Sequence, residues 1–467
     1  MSTVRIFRQH VPTTFLILAT IEAIIFIMSL YIGVMAGLKV SWIELLDYFE
    51  PLVPEAIFFS IVMLLSLAAV GLYQRRLRDG RAGMIARIIL GVGIGIILIN
   101  QISYTLPDLD MGKEVWMPVI GLAFTGVLIT RLLLFQAIAT KALRKKVLVL
   151  GSGDKANHIA ESTPLFGNNQ FEIVGNVPLY DEAKGVSANL LLGTKNNLFD
   201  LAMQAKADEI IVAVDNKKES FPTEALLKCK LYGIAVVDIV TFYEREAGLI
   251  KIDWISPSWF IFADGFQRGK WRKRFKTGSD IFLSAVLLLV FWPIMLLVSL
   301  AILIEDKGKG PLFYKQQRAG EDGKAFELLK FRSMKVDAEK DGKAQWAQKN
   351  DSRVTKVGAW IRRLRFDELP QIINVFKGEM SFVGPRPERP EFVELLAQKI
   401  PYYKERHSVK PGITGWAQVC YPYGATEEDA FQKLQYDLYY VKNNSLFLDF
   451  VILLQTAEVV LWRRGAR

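Results

Sequence analysis

The chain has 467 residues, 51% of them hydrophobic, and 58 lysines and arginines against 48 acidic residues give it a net charge of +10. That length supports two or three domains, and so apolar a composition predicts membrane segments. The two cysteines, Cys229 and Cys420, and the three histidines, His10, His158 and His407, are scattered, which excludes a disulfide framework, a Cys-based zinc site and a Ser-His triad. The basic residues cluster beside apolar runs and not along a polar face, so they point to anionic lipid or phosphorylated substrates and not to nucleic acid.

Four apolar runs come first, at 13–37, 51–73, 84–104 and 116–138, each about long enough to cross a bilayer as a helix. The first is too long for a cleaved signal peptide and has no clear small-residue cleavage site. Arg5 and Arg8 precede it, Arg75, Arg76, Arg78, Arg81 and Arg87 lie around the second loop, and Lys141, Arg144, Lys145 and Lys146 follow the fourth run. The other two loops carry Glu44, Asp47 and Glu50, then Asp108, Asp110 and Glu114. This asymmetry places both ends of a four-helix transmembrane domain, residues 1–142, in the cytoplasm. The runs hold few charges, which argues against a channel or pump.

Residues 143–250 read as a Rossmann-like α/β domain. Lys146 to Leu150 form a buried strand, Gly151-Ser152-Gly153 a turn and Asp154-Lys155-Ala156 a helix start, the arrangement that holds a pyrophosphate at a helix N-terminus. Further strands are expected at Phe171–Val177, 209–214 and 234–239. Gly151 and Gly153 are therefore candidate cofactor-binding residues. The motif is only G-x-G-x-x-A, and Tyr180, Asp181 and Glu182 fall in a loop where the second strand should end on an acid. A structural or regulatory module is favoured over a nucleotide-binding one.

An aromatic and basic linker, 251–272, leads to a fifth apolar run at 281–304. A full span here would place everything after it outside the cell. Pro293 at its middle removes a backbone hydrogen bond, and Lys273, Arg274, Lys276, Lys307 and Lys315 flank both sides. A re-entrant helix at 279–304, entering and leaving by the cytoplasmic leaflet, satisfies both observations; a kinked spanning helix is the alternative.

The chemistry concentrates at Phe366-Asp367-Glu368-Leu369-Pro370-Gln371, preceded by Arg362-Arg363-Leu364-Arg365 and followed by Val383-Gly384-Pro385-Arg386-Pro387. Arginine pairs with phosphate oxygens and a hard metal prefers carboxylates, so this pattern suits phosphate and a divalent cation, with one carboxylate free to act as a nucleophile. The dipeptide alone also fits a solvated helix face.

Taken with Gly310-Pro311-Leu312-Phe313-Tyr314, Phe326-Glu327-Leu328-Leu329-Lys330-Phe331-Arg332 and Lys410-Pro411-Gly412-Ile413-Thr414-Gly415-Trp416-Ala417-Gln418, the stretch from Lys273 onward resembles the bacterial sugar transferases. These are polyprenyl-phosphate hexose-1-phosphate transferases, here of the long monotopic form. The resemblance implies a catalytic phosphoglycosyl transferase domain at 273–467 and a closing interfacial helix from Leu446. It implies Asp367 as the nucleophile on the β-phosphate of a UDP-sugar and Glu368 as its partner, with both carboxylates in Mg²⁺ binding. UMP leaves, and undecaprenyl phosphate takes the sugar phosphate to start an exopolysaccharide or O-antigen repeat unit.

Lys330, Arg332, Arg365 and Arg386 are then candidates for the donor diphosphate, Arg353 and Arg362 for the lipid phosphate or headgroups, and Gln418 for the nucleotide. The resemblance further implies the bacterial inner membrane, with soluble and catalytic domains facing the cytoplasm, and the extra domains suit a homodimer. The sugar is left open. Two rivals are a non-enzymatic membrane scaffold or regulator with a nucleotide-sensing module, and an oxidoreductase built on Gly151.

Overall fold

The computed structural model describes residues 3–6, 9–48, 52–73, 80–105, 113–139, 144–162, 171–179, 191–192, 197–215, 221–255, 257–266, 269–308, 310–335, 353–422, 424 and 426–461. Arg8, Glu50, Arg75, Arg76, Arg78, Asp108, Asp110, Lys141, Tyr180, Asp181 and Glu182, used above, lie outside these residues. The chain divides into two compact units, Met1–Ala247 and Gly248–Arg467.

The first unit opens with a short hairpin, β1 (Thr3–Ile6) and β2 (Gln9–Pro12), followed by α1 (Thr13–Leu38), α2 (Trp42–Tyr48), α3 (Val53–Ala69), α4 (Gly80–Thr105) and α5 (Lys113–Ala139). Within α1, α4 and α5, Phe15–Leu38, Ala82–Tyr104 and Glu114–Leu134 are apolar and long enough to cross a membrane. Helix α3 has 17 residues, about 26 Å at 1.5 Å per residue, and stops short of that length. Its end explains the polar cluster inside the bundle. A helix ending among apolar side chains leaves carbonyls without donors. Arg87 donates to the Val70 carbonyl at 2.7 Å and Arg131 to the Leu72 carbonyl at 2.6 Å. Arg131 also pairs in fork fashion with Glu22 at 2.6 and 3.0 Å, and Tyr73 donates to the same carboxylate. Arg87, assigned above to a loop, belongs to α4 and is buried.

The rest of this unit is a four-stranded parallel sheet in the order β4-β3-β5-β6, built from β3 (Lys145–Leu150), β4 (Phe171–Val177), β5 (Glu209–Val212) and β6 (Ala235–Asp238). Helices α6 (Asp154–Glu161), α7 (Leu198–Gln204), α8 (Thr223–Leu231) and α9 (Ile239–Ala247) lie between and after the strands in the chain. Val147 to Leu150 are buried, as a strand covered on both faces requires.

The second unit begins with α10 (Pro257–Phe262) and α11 (Lys270–Glu305). Helix α11 is one 36-residue helix containing Pro293, about 54 Å long if straight. Both ends nevertheless meet the same unit. Near its start, Lys273 pairs with Glu321 at 2.8 Å, Lys276 with Asp449 at 2.5 Å, and Asp280 accepts from the Phe382 amide at 3.3 Å. At its end, Glu305 accepts from the amides of Lys356 and Val357, and Asp306 pairs with Arg332. Between them Leu289, Val290, Trp292, Leu296 and Leu297 are exposed.

An antiparallel hairpin follows, β7 (Phe313–Ala319) and β8 (Ala325–Phe331), then α12 (Lys356–Arg363), α13 (Gln371–Phe376), β9 (Ser381–Val383), α14 (Pro390–Lys399), β10 (Gly412–Thr414), α15 (Trp416–Cys420), α16 (Glu427–Asn443) and α17 (Leu446–Leu461). Strands β9 and β10 pair in parallel. Beside them the backbones approach so closely that a side chain at Gly412 would meet the Gly384 amide at 2.1 Å, so the site needs glycine. Val375, Val383, Leu434, Leu438, Tyr440 and Leu448 form the core beneath. Each valine and leucine among them contributes about 1.5–3 kcal/mol on burial.

Candidate active site

Asp367 and Glu368 occupy a single 3-10 turn, Phe366–Glu368, between α12 and α13. Arg365, just before it, has φ of 61°. A left-handed arginine costs about 1–2 kcal/mol, and such strain persists where the surroundings dictate it, often at functional sites. Here it turns the chain so that Asp367, at 9% exposure, enters the interior.

Glu368 accepts from Lys330 Nζ at 2.9 Å and from Arg386 Nη2 at 3.3 Å. Lys330 projects from β8, and Arg386 from the loop after β9. Burial alone would raise the Glu368 pKa, but Lys330 and Arg386 outweigh it and hold the carboxyl well below the usual carboxylate range. Asp367 goes the other way: burial, then the adjacent Glu368 charge, push it up against the opposing pull of Lys330, Arg362 and Arg365. The dyad thus consists of one carboxylate fixed by cations and one raised, more basic neighbour.

Lys330, Arg362, Arg365 and Arg386, named in the sequence as separate phosphate-binding candidates, are thus brought together around the dyad. Arg362 also donates from Nε to Ser333 Oγ at 2.8 Å. Arg332, expected beside Lys330 at the donor phosphates, is paired with Asp306 at the end of α11. The Arg353 carbonyl accepts from the Lys335 amide at 2.9 Å. Gln418 donates to the Ile413 carbonyl at 3.4 Å and is not among the dyad's partners. A cavity of about 450 Å³ lined by Ala319, Val393, Lys404 and His407 includes neither carboxylate.

Sequence reasoning missed Asn374. It is fully buried, donates to the Glu327 carbonyl and Glu379 at 2.7 Å each, and accepts from the Leu329 amide at 3.0 Å. It thereby fastens α13, which follows the dyad, to the strand that carries Lys330. An asparagine inside the apolar pattern Gln371-Ile372-Ile373-Asn374-Val375-Phe376 was the available signal.

Among the described residues no group of three or more His, Cys, Asp or Glu side chains is placed to hold a metal ion. Asp367 and Glu368 fit magnesium only in its usual enzymatic mode, in which one or two carboxylates act together with substrate phosphates and water. The glycine loop of the first unit fits a dinucleotide poorly. Asp215 accepts from the amides of Asp154 and Lys155 at 2.9 and 3.1 Å, so a carboxylate occupies the anion seat at the start of α6. A side chain at Gly153 would meet Asp215 Oδ2 at 1.9 Å.

The bacterial sugar transferase family pattern matches residues 271–463. A UDP-glucose:undecaprenyl-phosphate glucose-1-phosphate transferase of Xanthomonas campestris pv. campestris is 30% identical over 436 residues, 89% of each chain. The enzyme of that name from Escherichia coli K12 is 32% identical over 365 residues, 75% of each chain. A UDP-N-acetylgalactosamine-undecaprenyl-phosphate N-acetylgalactosaminephosphotransferase of Aeromonas hydrophila is 41% identical over 247 residues, 52% of this chain and 56% of its own length. The chain thus spans just over half of the Aeromonas protein.

Proposed function

The chain belongs to the bacterial sugar transferase family, and from that premise we propose that it transfers a hexose-1-phosphate from a UDP-sugar to undecaprenyl phosphate, releasing UMP. The observation that carries this reading is the asymmetric dyad: a buried, raised Asp367 beside a Glu368 held by Lys330 and Arg386.

In the first step an Asp367 carboxylate oxygen attacks the β-phosphorus of the donor. The bond to the bridging oxygen breaks, and its electron pair leaves with UMP. In the second, an oxygen of undecaprenyl phosphate attacks the same phosphorus and the Asp367 carboxylate is freed, giving the sugar-diphospho-lipid. No net proton is needed at Asp367. What the reaction does need is positive charge around an anionic phosphorus, and Lys330, Arg365 and Arg386 supply it from fixed positions. Magnesium held by Asp367, Glu368 and the donor phosphates would add to that neutralisation.

The apolar helices of both units are compatible with membrane association. Because both ends of α11 bond to the second unit while its middle exposes apolar side chains, we read α11 as re-entrant, with the dyad at the cytoplasmic face of the inner membrane. The parallel sheet supports reading the α/β part as a Rossmann-like module, and Asp215 supports a structural role for it.

The test is UMP release by the detergent-solubilised protein with undecaprenyl phosphate, Mg²⁺ and a panel of UDP-sugars. Release with one sugar, abolished in Asp367→Asn, supports the proposal; equal release by Asp367→Asn overturns the covalent route.

A further inference from the structure

The loop that presents Arg386 is pinned at four consecutive carbonyls. The Pro385 carbonyl accepts from the Gly412 amide at 2.9 Å, that of Arg386 from Arg406 Nη2 at 3.1 Å, that of Pro387 from Arg318 Nη1 at 3.1 Å, and that of Glu388 from the Ala319 amide at 2.8 Å. Pro385 and Pro387 have no amide hydrogen and fixed φ, so this loop has few donors of its own and little backbone freedom. Its orientation is therefore set by the groups around it.

Two of those groups are arginine side chains, and both are held in turn. Arg406 is buried, donates from Nε to Asp437 Oδ2 at 3.0 Å and from Nη1 to the Tyr403 hydroxyl at 3.0 Å, and has Nη2 at 2.7 Å from Asp437. Arg318 donates to Gln316 Oε1 at 2.6 Å and lies 3.6 Å from Glu388. A buried arginine–aspartate pair is expensive in desolvation and is weak evidence for stability by itself. Its planar fork, however, reaches a carboxylate with two nitrogens, a hydroxyl and a backbone carbonyl at once, four contacts in a fixed plane against the three donors of a lysine ammonium.

We propose that Arg406, fixed by Asp437, and Arg318 are positioning residues for Arg386: they fix its backbone so that its guanidinium meets Glu368. This rests on the reading of the dyad given above. Neither residue touches the dyad itself, so each acts through Arg386.

The test is a double-mutant cycle on UMP release. Arg406→Lys keeps the charge and loses the fork. It is expected to lower kcat/KM by about 10- to 100-fold, the cost of a small displacement at a reacting centre. In an Arg386→Ala background the same change should cost less than about twofold, because its target is gone. Equal losses in both backgrounds would mean a general structural role and overturn the proposal. Arg318→Lys repeats the cycle at the neighbouring carbonyl should Arg406→Lys fail to fold. A structure of either folded lysine variant gives an arm independent of turnover. Loss of the Arg386–Glu368 contact supports the proposal and an unchanged contact overturns it, even if the donor chemistry proves different.

Discussion

Lys330 Nζ lies 2.9 Å from Glu368 Oε1, joining the second strand of the hairpin to the turn that holds the dyad. Through this contact one carboxylate of the pair is kept charged, while its neighbour is left raised.

Lys330→Met removes that charge and leaves Glu368 with Arg386 as its remaining hydrogen-bonding cation. The Glu368 pKa should rise, and UMP release should fall by about 10²-fold or more, as when one preorganised charge-stabilising group is lost. A pH–rate profile of the variant tests this, with the acid limb displaced to higher pH.

Asp367 carries a raised pKa, so its charged form is less favourable in the fold than in the unfolded chain. A raised carboxyl stabilises the fold while protonated and costs stability as pH rises past its unfolded value. Asp367→Asn should therefore raise Tm at neutral pH while abolishing UMP release. Each kcal/mol gained appears as about 2–4 °C in a unit of this size. In the wild type, activity should fall with acidification through a pKa above the ordinary aspartate value of about 3.9.

Asn374→Ala strands the Leu329 amide and the Glu327 carbonyl inside the core. Each unsatisfied buried group costs about 1–3 kcal/mol, so the second unit should melt clearly lower. Turnover should fall as well, because the tie between the dyad and the Lys330 strand is cut. Thermal unfolding read beside UMP release separates the two effects.

In the helical bundle, Glu22→Leu leaves Arg131 buried without its carboxylate and should cost about 3–5 kcal/mol. The double variant Glu22→Leu, Arg131→Leu should be less damaged than the single one, though the Leu72 carbonyl still loses its donor. Thermal stability in detergent orders the two variants.

The dyad, its arginines and the order of the motifs were legible because they stand close together in the chain. Asp367 and Glu368 are flanked within a few residues by Arg365 and Pro370, and Lys330 sits in a short alternating strand. The groups that support them were not legible, because their partners are distant and their types ordinary. Asn374 bonds 45 residues away and Arg406 bonds 31 residues away, each inside a stretch that reads as plain helix or turn. Asp215 stands 61 residues from Asp154 in the chain, and only the parallel sheet brings it to the start of α6. Pro293 called for a bend, while the two-ended attachment of α11 depends on ion pairs that no local pattern announces.

That attachment also bears on how the protein is made. Helix α11 leaves the ribosome before any of the groups that tie it down: Arg332 and Lys356 emerge later, and Asp449, the partner of Lys276, follows 173 residues after it. Until then a long apolar segment must wait without its anchors. Its final seating thus waits for residues made long after it, and a chain truncated before Asp449 would retain Asp367 and Glu368 yet lack the pair that clasps the start of α11.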